Sequence, residues 1–350
     1  MTSRPIKVIL SVTNDLSTDQ RVNKVALTLV NSGFDVLIIG RLKKNNKEFL
    51  KRPYSVIRFN LFFQKGVLFY FEYNFRLLFF LLFNSFDILL SNDLDTLLPN
   101  FIASKVKRKK LIYDSHELFS ELPEIINRKF VKSTWLLLEK LLLPRINYSY
   151  TVSNSIANYY YLKYGINMGV VKNVPLYRGS DNYIKNPSDD KIIIYQGAVN
   201  KDRGIDLMIK SMQYVEAKLY IVGTGDVLYD MIQLSNKLRL KNKVTFKGHV
   251  EFKYLHKLTK QADLGLSFEE DSCLSYRFSL PNKIFDYLHA DIPILISDLP
   301  EFKNILSKYN VGEVLRNRDA KHIASQINQL LNKPKQYWIE GINNAKKEYC

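Results

Sequence analysis

The chain alternates between short, uniformly apolar runs and longer stretches with helical spacing. Lys7–Thr13, KVILSVT, is a continuous apolar run with no in–out alternation. That is the pattern of a parallel strand buried on both faces. In Arg21–Ser32, Val22, Val25, Ala26, Leu29 and Val30 fall on one helical face, and Gly33 suits the position that ends the helix. Asp35–Ile39, DVLII, reads as the next strand. The β-α-β order predicts a parallel sheet with right-handed crossovers.

The alternation continues with strands at Val56–Phe59, Asp87–Ser91, Lys110–Tyr113 and Ser149–Val152. Helices are expected over Leu94–Lys105, Val131–Leu143 and Ser155–Lys163. Tyr177–Asp190, YRGSDNYIKNPSDD, has no apolar period and reads as a linker. A second α/β pattern follows, with strands at Lys191–Tyr195, Lys218–Val222, Val244–Lys247, Leu264–Ser267 and Ile292–Ile296. Its helices are expected over Gly204–Met212, up to Leu238, over Lys253–Gln261, Pro281–His289 and His322–Leu331, and from about Lys335. The fold class is therefore α/β, with two Rossmann-like doubly wound domains over residues 1–177 and 190–350.

Val67–Leu90 is apolar enough to suggest a membrane span, but Glu72, Arg76 and Asp87 interrupt it. A charge at mid-bilayer costs roughly 3 kcal/mol on insertion scales. The expectation is a buried helix ending near Phe83, then a strand.

A length of 350 residues fits two domains, and 46% hydrophobic content excludes disorder. The net charge of +17 changes the picture, because it predicts an anionic partner. The bases are dispersed and form no recognised nucleic-acid motif, so nucleic acid is not expected. With two cysteines and no long apolar run in Met1–Leu10, neither a disulfide framework, a zinc site nor a signal peptide is expected. A cytoplasmic setting fits.

In open parallel sheets, ligands collect at the carboxyl ends of the strands. After KIIIY comes Gln196–Gly204, in which Gly197 allows close approach and Arg203 stands at a helix start. After KLYIV comes Gly223-Thr224-Gly225-Asp226, a tight strand-to-helix turn. After LGLSF come Glu269-Glu270-Asp271 and then SLPNKIFDYL, with Lys283 and Asp286 three residues apart on one helix face. A guanidinium and an amine suit a diphosphate, and a carboxylate can accept both hydroxyls of a ribose.

These runs, in the order QGAVNKDRG, VGTGD, KVTFKGHV, QADLGLSF and SLPNKIFDYLHADIPILISDLPE, resemble the donor-binding half of family 4 glycosyltransferases of the GT-B fold. NDLSTDQRVNKVALTLVNSGFDVLIIG, DILLSNDLDT and YDSHELFSE extend the resemblance over the first half. The resemblance implies two domains facing a cleft and transfer from a UDP- or GDP-sugar to a glycan or lipid-linked acceptor. It also implies cell-surface polysaccharide synthesis, with retention at the anomeric carbon and no metal or other cofactor. Carried over, Arg203 and Lys283 would hold the diphosphate, Asp286 the ribose, and Gly197, Gly223 and Gly225 would border the nucleotide. His116 would face the donor sugar. The candidate catalytic set is His116, Arg203 and Lys283.

Two departures stand out. Many members pair two acidic residues eight positions apart. Asp286 fills the second position, but Phe278 stands at the first, and Glu269 and Glu270 come too early. A basic residue common in the family is replaced by Ala198.

Other features carry two readings. Arg21 at a helix start could meet an acceptor or phosphate, or pair structurally. Asp93-Leu94-Asp95 invites a metal, but Asp opening a helix is an ordinary cap, which is favoured. The basic run Lys105–Lys110 complements a helix end and could touch an anionic membrane peripherally at the inner face. A GT-B sugar-nucleotide epimerase would turn over donor without acceptor, and a non-catalytic nucleotide-sugar-binding subunit would give no product.

Overall fold

In a computed structural model, the structure describes residues 4–17, 19–43, 51–176 and 190–350. The linker expected over Tyr177–Asp190 falls outside the described residues but for Asp190. The chain divides into two compact units, Met1–Lys172 and Asn173–Cys350.

The strands of the first unit are β1 (Lys7–Ser11), β2 (Asp35–Arg41), β3 (Ser55–Phe59), β4 (Ile88–Asn92), β5 (Lys110–Ser115), β6 (Tyr148–Thr151) and β7 (Gly169–Val170). They form one sheet in the order β3-β2-β1-β4-β5-β6-β7, paired parallel throughout. The helices are α1 (Gln20–Asn31), α2 (Gly66–Phe83), α3 (Leu97–Lys107), α4 (Pro123–Ile126), α5 (Lys129–Leu142) and α6 (Asn154–Tyr164). Asp19 caps α1 by accepting from the Val22 amide, which fixes where the helix begins. Val8, Leu10, Val22, Ala26 and Ile38 then meet in one core.

The helix expected to be buried up to Phe83 is the clearest correction in this unit. Of α2, only Phe69, Tyr73, Leu77 and Leu81 are buried, a single stripe at four-residue spacing. Phe71, Phe75, Phe79 and Phe83 are exposed. Apart from Glu72, Asn74 and Arg76 the helix is apolar on most sides, so its composition could not reveal that just one stripe faces the sheet.

The second unit has strands β8 (Ile192–Gln196), β9 (Lys218–Val222), β10 (Val244–Gly248), β11 (Leu264–Ser267), β12 (Ile294–Ile296) and β13 (Gly312–Val314). Their order is β10-β9-β8-β11-β12-β13, again parallel throughout. Its helices are α7 (Ile205–Ser211), α8 (Leu228–Lys237), α9 (Phe252–Thr259), α10 (Leu274–Arg277), α11 (Asn282–His289), α12 (Pro300–Lys308), α13 (Ala320–Asn332) and α14 (Gln336–Glu348). The sequence pattern predicts nothing between Ile296 and His322, where α12, with Phe302 and Ile305 buried, and the three-residue β13 lie. α14 packs within its own unit: Trp338, Ile342 and Ala345 are buried, and Tyr349 meets Phe285 with ring centroids 5.0 Å apart.

Both sheets have the doubly wound order, in which connections leave in opposite directions on either side of one central pair of strands. These switch points are β1/β4 in the first unit and β8/β11 in the second.

Candidate active site

In the second unit, the segments after β8 and β11 meet at the switch point. Gly197 follows β8 with φ +140°, and Gly223 follows β9 with φ +142°. A methyl group on Gly223 would run into the Gly197 carbonyl oxygen. The two loops can stack only because Gly223 lacks a side chain, whereas a methyl group on Gly197 would press on the end of the Lys283 side chain. The contact is locked by the Gly197 amide donating to Val222 O at 2.9 Å and the Val199 amide donating to Thr224 O at 3.0 Å. Gly225 is held as closely, against the Val199 carbonyl.

Glu269 follows β11 and is fully buried. Its Oε1 lies 2.6 Å from Lys283 Nζ and 3.5 Å from an Arg203 guanidinium nitrogen. Its Oε2 accepts from Ser267 Oγ at 2.6 Å. Burial works against the charge, but Lys283 and Arg203 outweigh it and hold the Glu269 carboxyl below its usual range. Each cation also lies over a tyrosine ring. Lys283 Nζ is 4.2 Å from the Tyr195 centroid, and the Arg203 guanidinium carbon is 4.3 Å from that of Tyr276. Arg203 keeps 21% of its side chain exposed and Lys283 only 8%.

The early acid that spacing had set aside is thus the group on which both predicted cations converge. The eight-residue rule failed because Glu269 belongs to the end of β11, whereas Phe278 follows the short helix α10. A strand-end carboxylate two residues after Ser267 was the available signal. Beside it, a pocket of about 410 Å³ is lined by residues including Glu269, Glu270, Ser297, Asp298 and Arg318.

Asp286, on α11, accepts from Gln196 Nε2 at 2.9 Å, and Gln196 Oε1 accepts from Thr259 Oγ1 at 2.8 Å. The surface Asp–Lys pair suggested by helix spacing is replaced on the lysine side by the Lys283–Glu269 pair. Asp286 stays half-buried, at the carboxyl end of β8.

In the first unit, His116 follows β5. Its Nε2 is 3.1 Å from Asp114 Oδ2, and its Nδ1 is 3.3 Å from Asp93 Oδ2. Its amide donates to Asp93 Oδ1 at 2.7 Å. Burial opposes the imidazolium, but the two carboxylates outweigh it and raise the ring to about 9. Arg21 is buried and grips the same Asp114 through two nitrogens, at 2.6 and 3.2 Å. Of the two readings of Arg21, this is the structural pair.

Asp93 departs from its cap reading. It stands before a helical turn with φ +58° but makes no side-chain cap. It is spent on His116 instead. Asp95 accepts from Thr13 Oγ1 at 2.5 Å, closing the β1/β4 switch point. Burial, then the neighbouring Asp93, pushes its carboxyl up to about 7.

Two family models match. That for glycosyl transferases group 1 covers residues 180–347, and that for glycosyltransferase family 4 covers residues 20–175. The chain belongs to the family 4 glycosyltransferases.

The glycosyltransferase has the GT-B fold, with two Rossmann-like domains. It is similar to a sucrose-phosphate synthase from Thermosynechococcus elongatus, with TM-score 0.78 and 15% identity over 98% of this chain and 94% of that one. It is also similar to HepE of Anabaena in complex with UDP-glucose, with TM-score 0.71 and 14% identity over 98% and 94%. A glycosyltransferase from Rickettsia africae gives 0.72 and 14% over 99% and 94%. No curated protein sequence matches the chain. The structure brings Gly197, Arg203, Gly223, Gly225, Lys283 and Asp286 of the glycosyltransferase to the carboxyl edge of one sheet. It places His116 in the same position on the other sheet.

Proposed function

We propose that this glycosyltransferase moves a hexose from a nucleoside-diphosphate sugar to a glycan or lipid-linked acceptor in cell-surface polysaccharide synthesis. One observation carries the reading: Arg203 and Lys283 converge on one buried carboxylate at the β8/β11 switch point. Departure of a nucleoside diphosphate builds negative charge on the leaving oxygens, and preorganised cations lower that barrier. Glu269 and the two tyrosine rings hold the cations ready. Arg203, the more exposed, meets the phosphates first, and Lys283 follows from beneath Gly197.

Asp286 is the acceptor for the ribose hydroxyls, oriented by Gln196. A UDP-sugar is the favoured donor, since HepE, of the same fold, binds UDP-glucose. The aspartates of the D-x-D triplet are already engaged, by His116 and Thr13, so the cations of the chain, and no metal, neutralise the leaving group. His116, charged up to about pH 9, would donate toward a sugar or acceptor oxygen by exchanging one of its two carboxylate partners, Asp93 or Asp114. Transfer with retention is the stereochemical outcome that the family implies.

The test is calorimetric titration of UDP and UDP-glucose into wild type and Arg203→Ala, with a product screen over sugar nucleotides and acceptors. Loss of donor affinity in a variant that still melts cooperatively supports the reading. Unchanged affinity removes Arg203 from the site. Donor turnover without acceptor would point to an epimerase.

A further inference from the structure

The outward face of α2 is made for an apolar partner. Phe71, Phe75, Phe79 and Phe83 form a continuous ladder, with successive ring centroids 6.0, 4.6 and 6.2 Å apart. Phe75 is 52% and Phe83 81% exposed. From Phe71 to Phe83 the ladder extends about 18 Å along the helix, and a continuous exposed aromatic stripe of that length far exceeds the scattered apolar residues of an ordinary surface.

The two charges within α2 do not break this face, because they are turned to internal use. Glu72 accepts from the amides of Phe62 and Phe63, at 3.1 and 2.9 Å, and pairs with Arg76 at 2.6 Å. Arg76 in turn donates to Asn60 O and lies over the Phe62 ring. The pair thereby pins a loop that presents Phe62, 85% exposed, and Phe63 beside the helix. Next to α2 runs an open groove of about 430 Å³ against α3 and α5, with Leu98 and Phe130 exposed at its edge.

The charges left over are of one sign. On α2, α3 and α5, the charged residues that are exposed are Lys105, Lys129 and Lys140. Lys65, just before α2, is exposed too, and Lys107 donates to Asn84 O at the end of α2. An exposed aromatic helix face, with exposed lysines just before it and on the neighbouring helices α3 and α5, is the composition of a surface that lies in the headgroup region of an anionic membrane.

We propose that α2 and the Phe62–Phe63 loop seat this protein on an anionic lipid bilayer, lying in the interface rather than crossing it. Crossing is opposed by the other stripe of the same helix. Tyr73 Oη donates to Val12 O at 2.8 Å beneath the sheet, and Phe69, Leu77 and Leu81 are buried with it. The surface is independent of the sugar-transfer reading, because it needs neither donor nor acceptor.

The test is co-sedimentation of the full chain with vesicles of phosphatidylcholine alone and of phosphatidylcholine mixed with phosphatidylglycerol. Wild type should bind the mixed vesicles, more weakly as salt is raised. Phe75→Ser/Phe79→Ser should lose at least about tenfold of that binding while melting as wild type does. Phe62→Ser/Phe63→Ser, on the loop, should weaken it separately if the helix variant proves unstable. No binding to either vesicle, or binding unchanged in both variants, overturns the proposal. So does a wild-type dimer that dissociates in the variants without any vesicle binding, which would make the ladder a contact between copies.

Discussion

Lys283 Nζ sits 2.6 Å from Glu269 Oε1, so the amine at the candidate phosphate site already has a carboxylate partner within the fold. A diphosphate arriving there must compete with Glu269 for Lys283 and Arg203. The carboxylate keeps both cations oriented.

Removing that carboxylate leaves two cations facing each other. Glu269→Ala should lose about 3 kcal/mol of stability, since breaking a buried pair strands its partner. The double variant Glu269→Leu/Lys283→Met should lose clearly less, and urea unfolding of wild type, Glu269→Leu, Lys283→Met and the double variant at neutral pH measures the coupling. The Glu269 carboxyl is depressed in the fold. Its stabilisation is therefore present above the ordinary carboxylate range and lost as pH falls through the folded value. In Glu269→Gln that acid-side loss should shrink.

His116 should titrate near pH 9 in the folded chain, because Asp93 and Asp114 outweigh its burial. A raised histidine contributes stability that is complete below its unfolded value of about 6.5 and fades as pH rises toward 9. Histidine NMR signals followed from pH 5 to 10 read the midpoint directly. Asp93→Asn should bring it down by at least about one unit, and an unshifted midpoint would show that Asp93 does not hold the charge.

Asp95 has the opposite sign. Burial raises its carboxyl to about 7, so the folded state takes up a proton that the unfolded state has released. Stability falls as pH rises from the unfolded carboxyl value to about 7. Asp95→Asn, which imitates the neutral form, should therefore melt higher than wild type at pH 8 and show little gain at pH 4. Equal gains at both would place the effect outside ionisation.

Gly223→Ala should separate the loops after β8 and β9. The added methyl meets the Gly197 carbonyl, and φ of +142° is itself unfavourable for alanine. A stability loss of at least about 2 kcal/mol is expected, together with loss of UDP binding by calorimetry. A variant with wild-type melting and affinity would show that the loop stack is dispensable.

The alternation of apolar runs and helical periods determined the two parallel sheets, because a strand buried on both faces must be apolar throughout and its crossover helix must be one-sided. It also located the loops that carry Gly197, Arg203 and Gly223, since these follow strand ends, and the helix that carries Lys283. Tertiary structure alone decided which charges meet. Glu269 joins Arg203 and Lys283 across 66 and 14 residues of chain, and Arg21 is claimed by Asp114 across 93. Such pairings depend on strand order and on side-chain reach, which local sequence does not encode. The same holds for α2: apolar residues lie on both its buried and its outward stripes, and only the sheet beneath it selects the stripe of Tyr73 and Leu77 for burial and leaves the phenylalanine ladder outside.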